Sequence, residues 1–450
     1  MSSPSLPTSP ARTSPVVHAA SLDGEPSHEQ LPSLADDKSF WGMASTQFLG
    51  AFNDNLFKQL ILLLATPTAA ELLAGAKDRQ STAMNVFAVP FLLFSGFAGY
   101  VSDRISKRTI VVTAKVAEVV IMLVGFVGFW FYDRVGFNGM MLVLFLMGTH
   151  SAFFGPAKYG ILPEMLRASD LPRANGIFLM LTFLAIILGT AAAGYLLEYS
   201  GGRVWVGSLT CVAIAVAGVA TGLMVRRLPV AKPGLKMRVS SWLVPPEVLQ
   251  LLKKDRELLA AIVVVSIFWL VAGIVAQTVN AVGKGQLSRN EGSTSLMTTS
   301  ISLGIAIGCV LGGYLSRNRI NRKVVKVGMW GLIATLLVLS LRGGEQRHLL
   351  GYWGSFPALI LLGLFTGLFV VPVQVMVQSR PPRDEKGRVV ATMNQCTWIG
   401  VILGSLIYAA CVGVLDRTGA PRNTIFAVTA VLMLPVAILY RPKDEQLANS

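Results

Sequence analysis

The sequence predicts an all-α membrane protein of twelve transmembrane helices in two six-helix halves. Apolar residues make up 53% of the chain and charged residues 14%, whereas soluble domains carry about 25% charged residues. The mean hydropathy is +0.59. Twelve apolar segments have roughly the 20 residues that a helix needs to cross a bilayer.

These segments are separated by polar connections, and several contain Gly, Pro or polar residues, as transport helices do. The predicted spans are 39–65, 81–101, 109–132, 138–157, 172–197, 204–225, 257–280, 295–316, 324–342, 354–378, 389–413 and 422–440.

Composition divides the chain into five parts. Residues 1–38 are rich in Pro, Ser and Ala without an apolar run, which predicts a disordered cytoplasmic tail and no signal peptide. The six-helix halves are predicted at 39–225 and 257–440. A basic connection at 226–256 joins them, and a short C-terminal tail follows at 441–450.

The basic residues predict the orientation. Lys and Arg concentrate in the connections on the same side as the N-terminus, with eight of them in 226–256, so both termini are predicted to be cytoplasmic. The net charge of +15 then reflects topology and attraction to anionic membrane lipids, not nucleic-acid binding. Trp242–Lys254 fits either an amphipathic helix on the membrane surface or a plain linker.

An internal repeat relates the two halves. Gly99-Tyr-Val-Ser recurs 214 residues later as Gly313-Tyr-Leu-Ser, and Pro156 recurs 216 residues later as Pro372. Parallel repeats of this kind are typical of transporters whose halves rock around a midplane site.

The first predicted helix carries charges inside the membrane. Gln47, Asp54 and Lys58 are spaced by seven and four residues, which places them on one helix face, with Asn55 beside them. A charge at the bilayer centre costs at least about 2.5–3.5 kcal/mol, so such residues usually line a substrate path. The alternative is an intrahelical Asp54–Lys58 pair that only neutralises itself.

Further polar residues lie in other spans. Lys115 and Glu118, at i and i+3, form either a self-neutralising pair or part of a network with Asp54. His150 is interpreted as a neutral imidazole bonded to a neighbour. The amides of the C-terminal half fit a wall for a substrate tail or ordinary helix packing; they include Gln277, Asn280, Gln374 and Asn394.

The turn after the second helix resembles the cytoplasmic loop signature of the major facilitator superfamily. It reads Gly99-x-x-x-Asp103-Arg104-x-Ser106-x-Arg108, with Ser106 where the family usually has Gly. The resemblance implies a conformational latch. Asp103 would face a helix N-terminus and pair with neighbouring Arg, while Gly99 lets helices approach closely.

Two longer stretches, Gln47–Asn55 and Phe154–Glu164, resemble the bacterial lysophospholipid transporter family of that superfamily, as does Arg173-Ala-Asn175-Gly. The resemblance implies that lysophospholipid, chiefly lysophosphatidylethanolamine, is flipped from the outer to the inner leaflet of the bacterial inner membrane. It also implies a separate acyltransferase and acyl-carrier ligase as partners, since some members are fused to them.

Carried onto this chain, the resemblance makes Asp54 and Lys158 the polar centre of the site, with Asn175 nearby. A carboxylate suits an ammonium head group and a Lys suits a phosphate. Pro156 is expected to break the fourth helix and turn Lys158 toward the cavity. Snorkelling of Lys158 to the membrane surface is the alternative.

The competing function is a proton-coupled exporter of drugs or small amphipathic metabolites, with Asp54 or Glu118 as the protonation site. The sequence has no phosphate-binding loop, metal-ligand spacing or catalytic triad, which predicts a protein that is not an enzyme and has no metal or cofactor. The four cysteines fall in apolar segments and are interpreted as small buried hydrophobes.

Overall fold

The computed structural model describes residues 32–229, 246–316, 319–344, 348–381, 386–441 and 445–446. The predicted N-terminal tail and the start of the predicted surface helix fall almost entirely outside these ranges. Twelve long helices lie within them: α1 Lys38–Ala65, α2 Gln80–Arg104, α3 Lys107–Trp130, α4 Tyr132–Gly160, α5 Leu171–Tyr199, α6 Val204–Leu223, α7 Arg256–Asn280, α8 Glu291–Ser316, α9 Arg322–Ser340, α10 Gly351–Ser379, α11 Lys386–Thr418 and α12 Thr424–Leu439.

Each predicted span coincides with one of these helices, so the predicted twelve-helix fold is confirmed. Ten of them are long and apolar enough to cross a membrane. The other two are α1, which carries the charges of Asp54 and Lys58, and the 16-residue α12.

Short elements connect the long helices. Besides a strand pair, Arg319–Ile320 with Glu445–Gln446, they are short helices at Ala69–Leu73, Leu162–Met165, Ala168–Asp170 and Pro246–Lys254 and a π-helical turn at Ala281–Gln286.

The helix Pro246–Lys254 lies in the basic central connection. Val248 and Leu252, four residues apart on one face, are buried in the hydrophobic core of the C-terminal half. This part of the connection is therefore a helix packed on the protein, and not a plain linker.

Pro156 does not break α4, contrary to the expectation from the sequence. The helix continues from Pro156 to Gly160, because the loss of one backbone hydrogen bond is tolerated where neighbouring helices support the segment. The irregular position lies near the other end of the helix, at Gly136, whose φ is +63°. Only glycine adopts this conformation readily.

Glycine contacts show that the two halves are structural repeats. In the first half, Gly148 of α4 lies directly against the backbone oxygen of Phe87 in α2. In the second half, Gly363 of α10 lies against the backbone oxygen of Ile301 in α8. A Cβ atom at either glycine would overlap that oxygen. The partners are offset by 215 and 214 residues, close to the offsets of 214 and 216 in the sequence repeat.

The two halves meet through α5 with α8 and α2 with α11. Within the described ranges, most hydrogen bonds between the halves lie where α1 ends and α2 begins. They join residues 59–81 to residues 277–284 and 405–408. We call this the closed end. At the opposite end, a Cβ atom at Gly99 or Gly313 would meet nothing within 4 Å. The close helix approach expected at Gly99 is therefore not found in this conformation, because the halves are joined at the closed end.

The tight packing of α8 on α10 gives a stability prediction. Gly308→Ala should destabilise the protein by about 1–3 kcal/mol, the usual cost of overpacking, because its Cβ would overlap the carbonyl oxygen of Leu364. The measurement is thermal unfolding in detergent. Gly313→Ala, in the same helix but in open space, is the matched control and should be neutral or stabilising. Equal melting temperatures for both variants would contradict the packing argument.

Candidate functional site

A buried ion pair lies at the centre of the N-terminal half. The ammonium of Lys115 is 2.5 Å from the carboxylate of Glu118, one turn further along α3, and both side chains are almost completely buried. Gly50 of α1 and Gly218 of α6 leave the space that the Lys115 side chain fills. The pair predicted from the i, i+3 spacing is therefore present and is enclosed by three helices.

A hydrogen bond extends this pair to Asn53 of α1, and a close contact without a hydrogen bond extends it to His150 of α4. Asn53 donates its amide to Glu118 over 2.6 Å, and His150 Nε2 lies 3.4 Å from the same carboxylate. Ser151 lies 3.4 Å from His150 Nδ1 and donates to Asp54 Oδ2 over 2.8 Å. We call this group the polar cluster; its members are Asn53, Asp54, Lys115, Glu118, His150 and Ser151.

Helix α1 also presents acceptor atoms without a hydrogen-bond donor. In the described part of the chain, these buried atoms include Asp54 Oδ1, Asn53 Oδ1 and Gln47 Oε1. A buried acceptor left unpaired costs about 1–3 kcal/mol. An ammonium or hydroxyl group of a ligand would satisfy such atoms, Asp54 most strongly because it is a carboxylic acid.

Lys58 does not pair with Asp54. Its ammonium donates to Asn55 Oδ1 over 3.0 Å and lies 5.5 Å from the ring centroid of Phe87 in α2, whereas Asp54 is bonded to α4. The intrahelical pair that the sequence left open is therefore not formed, and Lys58 is available to a ligand.

Gln47 lies on a third side of α1. Its amide donates to Thr182 Oγ1 of α5 over 2.9 Å. The three residues predicted to share one helix face therefore contact three different neighbours, and Gln47 holds α1 against α5.

An apolar cavity of about 220 Å³ opens beside Lys58. Helices of both halves form its walls, mostly α7, α8, α10 and α11. Lys58 is the one charged residue among the described lining residues. The rings and aliphatic chains around it include Phe87, Phe268, Trp269, Ile305, Leu362 and Trp398. Trp398 also stacks on Phe91 of α2 with 3.8 Å between centroids, which joins the halves at this level.

Lys158 lies half-buried near the end of α4. Its ammonium is 5.8 Å from the ring centroid of Phe154, and it is close enough to act electrostatically on Asp54. It is not among the lining residues of the cavity, so the structure brings Lys58 nearer to the apolar space than Lys158.

The remaining predicted residues lie away from the cavity. Asn175 is exposed, and its amide donates to Leu171 O within its own helix. Gln374 and Asn394 are also exposed. Gln277 and Asn280 are fully buried at the closed end, where they face the other half.

The loop signature ties three helices of the N-terminal half together. Arg108 donates from Nε to Val225 O over 2.6 Å, just beyond the C-terminus of α6, where a cation is favoured by the helix dipole. Ser106 donates to Leu228 O over 2.8 Å, and Arg104 to the Tyr100 hydroxyl over 2.6 Å. Asp103 is half-buried, and its latch role stays a prediction.

Sequence reasoning did not assign Asn53, Ser151 or Trp398 to the site. Asn53 directly precedes Asp54 in the chain, and Ser151 directly follows His150. Their position next to these two predicted residues was the signal that the sequence offered. Trp398 carried no signal, because an aromatic residue in an apolar helix is ordinary.

A family described as the Major Facilitator Superfamily matches residues 43–405. A lysophospholipid transporter, LplT, of Klebsiella pneumoniae is 27% identical over 91% of this chain and 96% of its own. The LplT of Escherichia fergusonii is 29% identical over 88% and 96%.

Solved structures share the fold. The nucleoside transporter NupG superposes with a TM-score of 0.63 over 90% of this chain and 98% of its own, at 14% identity. The Escherichia coli fucose:proton symporter FucP superposes with a TM-score of 0.56 over 89% and 97%, also at 14% identity.

The buried pair gives a prediction of non-additive stability. Glu118→Gln should destabilise the protein by about 3–5 kcal/mol, because it leaves Lys115 buried without its counter-charge. The double variant Lys115→Met with Glu118→Gln should recover most of that loss, as measured by thermal unfolding. Losses that simply add in the double variant would show that the pair is not coupled.

Proposed function

The chain belongs to the Major Facilitator Superfamily, and on that premise we propose that it moves lysophospholipids by alternating access. The substrate would be a lysophosphatidylethanolamine-like lipid, carried from the outer to the inner leaflet of the bacterial inner membrane. Superfamily membership also confirms the prediction of a membrane transporter and not an enzyme.

One observation carries the proposal: a mainly apolar cavity with a single cation among its described lining residues, and a carboxyl group with an unpaired oxygen four residues before that cation on α1. This arrangement matches an amphipathic molecule with one chain and a charged head group. The cavity, about 220 Å³, is smaller than the roughly 300–1,000 Å³ of common ligand pockets. It would hold part of an acyl chain and keep it out of water, where each exposed methylene would cost about 0.8 kcal/mol.

The charges suggest how the head group is oriented. Asp54 would bind the ammonium through its unpaired oxygen. Lys58 would bind the phosphate, because Lys58 lines the cavity that would hold the acyl chain of the lipid. Lys158 would add positive potential from the end of α4. Two cations and one acid suit a phosphate with an attached amine.

Relatives support the substrate class, and the predicted topology orients the closed end. The proteins similar over most of the chain include several named lysophospholipid transporters. With both termini cytoplasmic, as the basic connections predict, the closed end would face the periplasm. A separate acyltransferase and acyl-carrier ligase would reacylate the delivered lipid and so prevent its return.

A proton-coupled exporter of small amphipathic molecules is the second candidate. The observation that favours it is the polar cluster, in which Ser151 links Asp54 to His150 and the carboxylate of Glu118 lies 3.4 Å from the His150 ring. Direction and dependence on a pH gradient would separate the two candidates.

The head-group assignment predicts loss of uptake in Asp54→Asn. Spheroplasts of a transporter-deficient strain would be given labelled lysophosphatidylethanolamine, and its uptake and reacylation measured. We expect transport to fall to background in Asp54→Asn and in Lys58→Ala, with folded protein retained. The matched control is Asp133→Asn, the same change at an exposed acid of α4. Wild-type uptake in both variants would remove the proposed site, and no uptake by folded wild type would favour the exporter.

The tail assignment predicts a change in chain-length preference. Ser302→Phe places a ring in the cavity, so uptake of long-chain lysophospholipid should fall more than uptake of a short-chain analogue. Leu303→Phe, at an exposed neighbouring position of α8, serves as control. Equal losses for both chain lengths would argue against an acyl chain in this cavity.

A further inference from the structure

A continuous chain of hydrogen bonds crosses the closed end. Gln59 Nε2 donates to Asn280 Oδ1 over 3.2 Å, and Asn280 Nδ2 donates to Gln80 Oε1 over 3.1 Å. Gln80 Nε2 donates to the Tyr408 hydroxyl over 3.1 Å, and that hydroxyl donates to Asp78 Oδ2 over 2.6 Å. Donor and acceptor therefore follow one direction from α1 to the carboxyl group of Asp78.

Every link of this chain joins opposite halves. Gln59, Gln80 and Asp78 belong to the N-terminal half, whereas Asn280 and Tyr408 belong to the C-terminal half. The residues alternate, so the halves cannot separate at this end unless all four bonds break together. The four helical side chains are 0–3% exposed, so they have little contact with water while the end is closed.

Two backbone contacts flank the chain and cross the same interface. Lys284 donates its ammonium to Leu63 O over 2.9 Å, and Ser405 donates to Ser81 O over 3.1 Å. The contacts named here are thus mostly between amides, hydroxyls and backbone carbonyls, with Lys284 as the one cation and Asp78 as the one acid among them.

We propose that Gln59, Asn280, Gln80, Tyr408 and Asp78 form a polar gate that sets the balance between the two conformations of the transporter. These are positioning residues, since they act on the substrate site only through that balance. The proposal rests on superfamily membership and on the observed contacts, and it holds whichever substrate is carried.

Asp78 makes this gate sensitive to pH. It precedes α2, and burial raises the pKa of its carboxyl group, although hydrogen bonds from Tyr408 and Gln80 and the charge of Arg422 oppose this. Arg422 also donates a hydrogen bond to Asp416, which is a further charged group near Asp78. The closed conformation therefore binds the proton of Asp78 more tightly than an open, hydrated one, so acid favours closure and rising pH weakens it.

The test measures distances between spin labels in the full chain without substrate, after replacement of the four native cysteines. One pair, at the exposed positions Lys77 and Thr418, reports the closed end. Another, at Thr109 and Lys323, reports the opposite end. Tyr408→Phe removes two links and keeps the ring. It should shift the population about tenfold toward the form open at the closed end, as expected for the loss of one or two buried hydrogen bonds.

The matched control is Thr278→Val in α7. Its hydroxyl is fully buried near the same end but donates to Ile274 O within its own helix, so both distances should stay as in the wild type. Unchanged distances in Tyr408→Phe, or an equal shift in Thr278→Val, would overturn the gate.

A conservative variant separates the gate from a merely structural role. Asp78→Asn keeps an acceptor for Tyr408 but cannot titrate, so it should remain closed and lose the pH dependence of the wild-type distances. Asp78→Ala should open like Tyr408→Phe. Persistence of the pH dependence in Asp78→Asn would refute the assignment of Asp78 as the titrating group. The distance measurements need no transport activity, so they test the gate independently of the proposed substrate.

Discussion

The neutralisation of Lys115 by Glu118 is the interaction on which the N-terminal half depends. An unpaired charge in a low-dielectric interior costs several kcal/mol, so the helices around this pair must leave room for it and satisfy it. Gly50 and Gly218 supply the room, and Asn53 and His150 approach the carboxylate from α1 and α4. The position of α3 against its three neighbours follows from these contacts.

This arrangement has a consequence for Asp54. Glu118 already neutralises the buried lysine, so Asp54 has no cation of its own within the polar cluster. Among the described residues only the hydroxyl of Ser151 donates to it, and its other oxygen has no hydrogen-bond partner there. A structural ion pair thus leaves the neighbouring acid available for a ligand.

The C-terminal half uses the same backbone for a different purpose. Gly363 packs in the repeat position of Gly148, but the interior around α7, α8 and α10 is lined by apolar side chains and contains the cavity. The repeat fixes how helices pack, whereas the side chains of the two halves have diverged into a polar and an apolar wall. An amphipathic ligand fits between walls of this kind better than a uniformly polar one.

The chemistry at the closed end suits a contact that must form and break repeatedly. Amides and hydroxyls exchange a protein partner for water with a small net change in free energy, about 0.5–1.5 kcal/mol per hydrogen bond. Separated buried charges would cost more. Neutral links between Gln59, Asn280, Gln80 and Tyr408 therefore hold the halves together without making their separation prohibitive.

Local sequence patterns decided the helices, their repeat and the pairing of Lys115 with Glu118, because each depends on residues within one turn or one apolar run. The choice of partners between helices could not be read this way. Gln59 donates a hydrogen bond to Asn280, 221 residues later in the chain. Lys58 donates to Asn55, whereas Asp54 accepts from Ser151 of α4. Asn175 lies on the exposed side of its helix, and Pro156 stays inside an unbroken one. The rotation of each helix about its axis is set by packing against segments distant in the chain, and helical periodicity alone carries no information about that packing.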